Sequence, residues 1–243
     1  MTPLILIPAR LAATRLPNKP LADIGGKPMI VRAWEAAKKS GFRVAVAAGD
    51  QEIVEVIQAA GGEAVLTDPD LPSGSDRIRV AADLLDADGH HDVIINVQGD
   101  MPFASPDLAK ICGALLAKES SCDIATLVAP ETDISERSNP DVVKAVLALD
   151  DTGRSGRALY FTRSHLYGEG PIWHHVGIYG YRRDALNRFC AAPPSPLEKR
   201  EKLEQLRALE MGMQIWAGII DEAPVSVDNA EDLEAARAYA ASL

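Results

Sequence analysis

The sequence has few of the residues that mark specialised classes of protein. Only three cysteines occur among 243 residues, and Cys112, Cys122 and Cys190 form neither a disulfide framework nor a metal-ligand spacing. No run of about 18 apolar residues occurs, so nothing predicts a membrane span. The N-terminus also lacks the basic start and the cleavage site of a secretory signal. These absences predict a cytoplasmic protein with reduced thiols and no membrane insertion.

Positive charge is scarce as well. The chain has 25 Lys and Arg against 35 Asp and Glu, a net charge of −10, which argues against nucleic-acid binding. The first 32 residues are the exception, because five basic residues and one acidic residue give them a net charge of +4. A basic opening on an acidic chain suits a single anionic ligand better than a long polyanion. The alternative is a solvated surface cluster.

The hydrophobic pattern predicts the fold class. Over the first part of the chain, strands are predicted at 4–7, 44–48, 63–67 and 92–97, and helices at 27–41, 51–60, 78–85 and 107–118. This alternation predicts an α/β fold with a mostly parallel sheet covered by helices on both faces. Further on, strands are expected at 123–128, 142–149, 158–161, 176–181 and 214–219, and helices at 197–211 and at the C-terminus. We expect one domain, 1–243, in which about 123–192 form a sheet extension and a smaller mixed α+β lobe.

The strongest functional signal is the loop that follows the first strand. About a dozen residues separate that strand from the next element, whereas two to six are usual, and the loop carries Arg10, Arg15 and Lys19. Ligands of open parallel sheets bind beyond the carboxyl ends of the strands, where this loop lies. Guanidinium groups bind phosphate oxygens in bidentate fashion, and an ammonium adds a point charge. The loop therefore predicts a phosphate site, although it matches neither the dinucleotide fingerprint nor the P-loop.

Two acidic residues also follow strands. Asp100 leaves a buried strand in Asn96-Val97-Gln98-Gly99-Asp100, and Asp228 follows Val225-Ser226-Val227. Mg²⁺ binds through one or two carboxylates together with phosphate oxygens, so this pair is a candidate magnesium site. The alternative for Asp100 is a turn. For Asp228 the alternative is a capping box with Glu231 that opens the last helix.

Other candidates are weaker. The turn Ser73-Gly74-Ser75-Asp76-Arg77 can present backbone N–H groups to a base or a phosphate, or it can be an ordinary helix cap. His175, beside a strand, is more typical of a structural histidine. Glu198, Glu201 and Glu204 have the spacing of a solvated helix face.

Several motifs in order resemble those of one family. They are Ile7-Pro8-Ala9-Arg10, Thr14-Arg15-Leu16-Pro17, Ser73 to Arg77, Asn96 to Asp100, His175 to Arg182, Pro194 to Glu198, Leu203 to Arg207 and Val227 to Leu233. Together they resemble the 3-deoxy-manno-octulosonate (Kdo) cytidylyltransferases over nearly the whole chain. The resemblance implies a nucleotidyltransferase fold, a homodimer, and transfer of CMP from CTP to Kdo with Mg²⁺ for lipopolysaccharide synthesis.

The resemblance also implies roles for particular residues. Catalysis would involve Arg10, Arg15, Lys19, Asp100 and Asp228, with the two aspartates as metal ligands. CTP would contact a set of residues in the first half of the chain: Pro8, Ala9, Arg10, Arg15, Lys19, Gly74, Ser75, Arg77 and Gln98. The sugar would contact Gln98 and a second set: Arg163, His175, Tyr179, Glu204 and Gln205. The segment 123–192 would then contribute to the dimer and to sugar binding.

The sequence departs from the family pattern in three places. Met101 stands where Glu is common, Gly49-Asp50 stands where Thr-Asp is usual, and the segment 164–173 is short. Alternative acceptors are an amino analogue of Kdo and an acylneuraminate. A non-catalytic nucleotide-binding regulator is a further alternative, but such a protein is expected to have lost Asp100 or Asp228.

Overall fold

A computed structural model describes residues 1–12, 16–131, 133–168 and 170–242. Internal contacts divide the chain into two compact units. The first consists of Met1–Lys110 with Pro224–Leu243, and the second of Ile111–Ala223. The first boundary between them falls inside a helix, Asp107–Lys118.

The regular elements can be numbered in chain order. The strands are β1 (Pro3–Ala9), β2 (Asp23–Ile24), β3 (Lys27–Pro28), β4 (Arg43–Ala48), β5 (Glu63–Leu66), β6 (Val93–Asn96), β7 (Ile124–Glu131), β8 (Lys144–Leu149), β9 (Ser155–Thr162), β10 (Ile172–Arg182) and β11 (Ile215–Ile219). The α-helices are α1 (Met29–Lys38), α2 (Gln51–Ala59), α3 (Gly74–Leu85), α4 (Asp107–Lys118), α5 (Arg183–Ala191), α6 (Pro196–Glu201), α7 (Gln205–Glu210) and α8 (Ala230–Ser242). Short 3₁₀ turns lie at Lys19–Leu21 and Ile134–Arg137.

The first unit contains four parallel strands in the order β5-β4-β1-β6. In β1, Ile5 faces Val44 of β4 on one side and Ile95 of β6 on the other. The residues from Leu4 to Ile7 are 0% exposed, as expected for a parallel strand inside the core. Because the strands are parallel, the carboxyl ends of β1, β4 and β6 lie at the same edge. Strands and helices alternate here as the sequence predicts, and the α/β class is confirmed.

A hairpin and a small apolar core fix the segments around this edge. Gly25 and Gly26 have φ values of 58° and 78° between β2 and β3, a turn that glycine adopts without strain. Ile24 and Met29 pack in one cluster with Val227 and with Leu233 of α8, and Leu16 joins it. This cluster ties the long loop after β1 to the chain that leads to Asp228.

The second unit contains a mixed sheet in the order β10-β7-β11-β9-β8, with additional pairing between β10 and β8. Only β7 and β11 run parallel; the other pairs are antiparallel. A bulge in β10 lies between Val176 and Tyr179. Bulges change the direction of the side chains that follow, and here the bulge separates His175 from Tyr179.

One predicted helix is wrong in its extent. The periodicity predicts a single helix over 197–211, but the structure has α6 and α7 with a break at Lys202. Lys202 has a φ of 55°, and the next residue, Leu203, donates its N–H back to the Glu198 carbonyl. This is a left-handed helix termination, which is usually built on glycine. Since lysine stands there, no local signal marked the break.

Two properties of the chain bear on its chemistry. Among the described residues, no helix is both long and apolar enough to cross a bilayer. Cys112 and Cys122 are buried, and burial raises the pKa of Cys122 to about 12, so this thiol is protonated at neutral pH.

Candidate active site

A cleft of about 400 Å³ opens at the carboxyl edge of the parallel strands. Sequence-predicted residues line it together with a few apolar neighbours: Pro8, Ala9, Arg10, Ala12, Leu16, Lys19, Pro20, Met29, Leu71, Ser73, Gly74, Arg77, Gln98, Gly99, Asp100 and Asp228. All of these belong to the first unit. The cleft therefore unites the long loop, the turn before α3 and the carboxylates of Asp100 and Asp228, which are far apart in sequence.

Two carboxylates converge on one ammonium in this cleft. Lys19 Nζ lies 2.8 Å from Asp100 Oδ2 and 3.2 Å from Asp228 Oδ1. The 3₁₀ turn Lys19–Leu21 carries the lysine, while the aspartates follow β6 and precede α8. Val227 also donates its N–H to the Asp100 carbonyl at 2.9 Å, which ties the two acidic segments together. The sequence predicts that these two aspartates form one site, and the structure places them together. The strand predicted at 225–227 is wrong, however, because Asp228 follows an irregular segment that leads into α8.

The capping box predicted at Asp228 and Glu231 is wrong. Asn229 caps α8 instead, since its Oδ1 accepts the N–H groups of Glu231 and Asp232 at 2.8 and 3.0 Å. Asp232 completes the exchange by accepting the N–H groups of Asp228 and Asn229. The box is shifted by one residue, and the Asp228 carboxylate therefore has no role in the cap.

Arg77 is held within the protein as well as lining the cleft. It is 2% exposed, and its guanidinium donates to Thr67 Oγ1 at 2.6 Å and to the Asp68 carbonyl at 3.0 Å. A Cβ at Gly49 would come within 2.9 Å of Arg77 Nη1 and 3.1 Å of Arg10 Cβ. Gly49 therefore leaves little room for a side chain between the two arginines in this structure.

The turn before α3 is a helix cap and also borders the cleft. Ser73 caps the helix by accepting the Asp76 N–H at 3.1 Å. Ser73 and Gly74 also line the cleft, whereas Ser75 is buried behind them.

Asp50 anchors the start of the long loop. Its Oδ2 accepts the N–H of Leu11 at 2.7 Å, next to Arg10. Asp50 precedes α2 without capping it through its side chain, because the carboxylate is engaged with the loop. Asp50 was not among the predicted site residues, although it lies two residues after β4, a position after a strand like that of Asp100. Arg15 lies outside the described residues.

The neighbours of Asp100 are also defined. Gln98 lines the cleft two residues before it, with its amide 3.5 Å from Asn96 Oδ1. Met101 is 7% exposed and is packed as an apolar residue. The departure at Met101 therefore leaves the Asp100 carboxylate in the cleft.

The predicted sugar-binding residues other than Gln98 lie in the second unit, and His175 is the most buried titratable group among them. Its Nε2 lies 2.9 Å from Thr126 Oγ1, whose hydroxyl can donate to the Ile178 carbonyl at the same distance. With that hydrogen bond, the imidazole is assigned as the Nε2–H tautomer, donating to threonine. Burial, and then the neighbouring His174, lower the pKa of His175 to about 3, so the ring is neutral at physiological pH.

Tyr179 and Gln205 are further polar groups in buried surroundings. The Tyr179 ring lies 5.4 Å from that of His175, and burial together with the negative charge of Glu204 raises its phenol pKa far above the usual range. Gln205 is 6% exposed, and its Nε2 has no hydrogen-bond partner among the described residues. An amide donor buried without a partner is costly, and a ligand with an acceptor oxygen would satisfy it.

The prediction that Glu198, Glu201 and Glu204 form a solvated face is wrong. Glu198 accepts the N–H of Ser195, the N-cap of α6, and makes a two-point ion pair with Arg207, at 2.6 and 2.8 Å. Glu201 Oε2 accepts from Thr162 Oγ1 at 3.3 Å and from the Arg163 N–H at 3.4 Å. These partners lie nine to 39 residues away in the chain, so the helical spacing alone could not reveal them.

The carboxylates suit a hard divalent cation. Within the described residues, no cluster of three or more His, Cys, Asp or Glu side chains forms a cage. Asp100 and Asp228 nevertheless already direct oxygen atoms at a single cationic group, Lys19 Nζ. Two carboxylates open to further oxygen ligands are the set that Mg²⁺ takes when it binds together with a phosphate. The residues present fit the ion.

Comparison with known proteins identifies the class to which this cleft belongs. A family model described as "Cytidylyltransferase" matches residues 4–215. The 3-deoxy-manno-octulosonate cytidylyltransferase of Parvibaculum lavamentivorans is 58% identical, covering 97% of this chain and 92% of that protein. The enzyme of the same name from Methylobacterium radiotolerans is 56% identical, with 97% and 96% covered. The chain therefore belongs to the 3-deoxy-manno-octulosonate cytidylyltransferase family.

A solved structure agrees with this assignment. A CMP:2-keto-3-deoxy-manno-octonic acid synthetase complexed with CTP superposes with a TM-score of 0.91 at 34% identity. The match covers 100% of this chain and 99% of that one.

Proposed function

We propose that the protein transfers CMP from CTP to the anomeric hydroxyl of Kdo, giving CMP-Kdo and diphosphate. One observation carries the proposal: Arg10, Lys19, Asp100 and Asp228 meet in one cleft of a chain that shares 58% identity with a curated enzyme of this name. Both carboxylates are present, which disfavours a regulator that has lost catalysis.

In this proposal the cleft of the first unit binds the nucleotide. Arg10 and Lys19, with Arg15 as a further predicted contact, bind the triphosphate and offset the negative charge that grows on it. The turn at Gly74 contacts the cytidine of the nucleotide, and the buried Arg77 holds that side of the cleft in place. A divalent cation, when bound, would supply charge neutralisation and would lower the pKa of a coordinated hydroxyl. Asp100 and Asp228 would hold that ion.

The reaction is an in-line displacement at the α-phosphorus. The anomeric oxygen of the acceptor forms the new bond, and the bond to the bridging oxygen of the β-phosphate breaks. Diphosphate leaves, and the hydroxyl proton passes to water. The catalytic contribution of the protein is positioning and electrostatic stabilisation.

The second unit would bind the acceptor. Kdo carries a carboxylate next to the reacting carbon, which requires a fixed cation, and Arg163 is the candidate. His175, Tyr179, Glu204 and Gln205 would contact the hydroxyl groups. The neutral imidazole and the unpartnered Gln205 amide suit an uncharged, oxygen-rich ligand surface.

The experiment is a diphosphate-release assay with CTP and Mg²⁺. Kdo, its 8-amino analogue and an acylneuraminate are offered separately, and the Asp100→Asn variant serves as a matched control. We expect release with Kdo and a large loss in the variant. Preferred release with either alternative acceptor would change the assigned sugar, and release with none would overturn the proposal.

Assembly and location are part of the same proposal. The resemblance to the family supports a homodimer in the cytoplasm that supplies activated Kdo for lipopolysaccharide. Light scattering of the purified protein is expected to give about twice the chain mass, and a monomer mass would contradict the dimer.

A further inference from the structure

Lys144 is a fully buried cation that the reaction described above does not use. It lies at the start of β8, is 0% exposed, and pairs in register with Thr162 of β9 and His174 of β10. Its ammonium donates to the carbonyl groups of Asn139 and Arg163, at 2.6 and 3.0 Å. Within the described part of the chain, no carboxylate lies within ion-pair distance of it. A buried charge without a counterion is expensive, so its presence calls for a reason.

Lys144 and Arg163 hold the same turn. Lys144 binds the Asn139 carbonyl, while Arg163 Nη1 donates to the next carbonyl, that of Pro140, at 2.8 Å. Lys144 also binds the carbonyl of Arg163 itself. The other side of the guanidinium is held by Nε, which donates to the Glu201 carbonyl at 3.3 Å. The backbone and the side chain of Arg163 are therefore fixed in a closed ring of hydrogen bonds that depends on Lys144.

The hydrogen bonds in this ring pair neither cation with a carboxylate. Both side chains donate to neutral carbonyl groups, and in the described structure the Glu201 carboxylate reaches Arg163 at its backbone N–H, at 3.4 Å, and not at the guanidinium. Burial lowers the pKa of Lys144, the negative charge of Glu136 opposes this effect, and the positive charge of Arg163 adds a smaller lowering. Two cations this close to each other create a local field that attracts an anion.

We propose that Lys144 is a positioning residue for the carboxylate of the acceptor sugar. It fixes Arg163 in place and adds a buried positive charge behind it. This inference rests on the proposed function, because Arg163 is the group assigned to that carboxylate. It assigns to Lys144 a role in acceptor affinity that is separate from CTP binding.

The first test is steady-state kinetics on three variants. Lys144→Met removes both the hydrogen bonds and the charge, whereas Lys144→Gln keeps a donor and removes the charge. Lys118→Met alters an exposed lysine of the same unit and is the matched control. We expect the Kdo KM to rise about tenfold or more in both Lys144 variants, with the CTP KM changed less than twofold. If Lys144→Met does not fold, Lys144→Gln provides the measurement.

The second test separates positioning from general support of the fold. Wild-type enzyme should prefer Kdo over its C1 amide in kcat/KM, and that preference should fall at least fivefold in Lys144→Gln. A merely structural lysine would lower stability and leave this preference unchanged. Equal changes in both KM values, or an unchanged Kdo KM in folded Lys144→Gln, would overturn the inference.

Failure of the proposed function can be distinguished from failure of the Lys144 inference, because it changes which acceptor the wild-type enzyme uses. If wild-type enzyme rejects Kdo but accepts an acylneuraminate, both tests are run with the acylneuraminate and its C1 amide instead. The acylneuraminate suits them because its carboxylate has the same position as that of Kdo. If wild-type enzyme accepts no carboxylated sugar, the proposed function and this inference both fall.

Discussion

Lys19 places its ammonium between Asp100 and Asp228, at 2.8 and 3.2 Å from their oxygens. The lysine side chain is 17% exposed, so these ion pairs are partly shielded from water. Without a cation between them, the two carboxylates would repel each other. Lys19 therefore occupies the position where positive charge is most needed, and a divalent ion binding there must compete with its ammonium.

This competition leads to the first prediction. Lys19→Met should bind Mn²⁺ more tightly than wild-type protein in the absence of nucleotide, by about tenfold, or ~1.4 kcal/mol. The CTP KM should rise in the same variant, because a phosphate-binding cation is lost. Calorimetric Mn²⁺ titration measures the first effect. Lys27→Met, which alters an exposed lysine of the same unit, is the control. Weaker Mn²⁺ binding by Lys19→Met would contradict the competition.

The second prediction separates the cap of α8 from the metal ligand. Asn229→Ala should lower stability by about 1 kcal/mol, because it removes the acceptor of two N–H groups. Asp228→Asn should leave stability within roughly 0.5 kcal/mol, since this side chain is not the cap. Asp228→Asn should also lower turnover about a hundredfold, because the loss of one well-placed electrostatic group from an active site has an effect of this size.

Thermal unfolding and diphosphate release across a Mg²⁺ titration measure these effects. Normal turnover of Asp228→Asn at low Mg²⁺ would show that Asp228 is not a ligand. A large stability loss in the same variant would point to its ion pair with Lys19 and not to a cap, because Asn caps a helix about as well as Asp.

Local signals in the sequence were sufficient for much of the fold. The apolar run Leu4–Ile7 predicted a strand buried in the core, and two adjacent glycines, Gly25 and Gly26, form the turn between β2 and β3. Both features are set by residues adjacent in the sequence. Apolar side chains favour the buried strand, and the missing side chain of glycine allows the turn. The position of the cleft could be predicted because the carboxyl ends of parallel strands meet at one edge of a sheet.

The features that the sequence did not reveal depend on distant partners. Glu201 is engaged by Thr162 and Arg163, which are 38 or more residues away. In the sequence, Lys144 resembles an ordinary polar residue before an apolar run. In the structure, the strands on both sides of β8 bury it. The cap of α8 was misplaced by one residue because Asp228 and Asn229 are both good capping residues. In each case, contacts in the folded structure decided which of the locally possible arrangements forms.

The third prediction concerns pH and His175. Its folded pKa of about 3 lies below the ordinary value of 6.5, so the native state favours the neutral ring. This contribution to stability is full above pH 6.5 and is lost as the pH falls from 6.5 towards 3, because the unfolded state takes up the proton first. Between pH 6.5 and 5 the loss should reach about 2 kcal/mol, at ~1.4 kcal/mol per unit.

Urea unfolding at several pH values tests this effect. The pH dependence below 6.5 should be smaller in His175→Gln, which cannot take up the proton, and unchanged in the control His165→Gln. An unchanged slope in His175→Gln would mean that other groups cause the acid sensitivity.

The last prediction concerns the close approach at Gly49. A methyl group there would lie 2.9 Å from Arg77 Nη1, and Arg77 cannot easily yield because it is 2% exposed and bonded to Thr67, Asp68 and Pro69. Overpacking of this kind costs about 1–3 kcal/mol, so Gly49→Ala should raise the CTP KM by about fivefold or more. A double-mutant cycle identifies the cause. With Arg77→Met, which removes the guanidinium, the added effect of Gly49→Ala should largely vanish. Additive effects of the two substitutions on the CTP KM would show that the arginine is not what Gly49 accommodates.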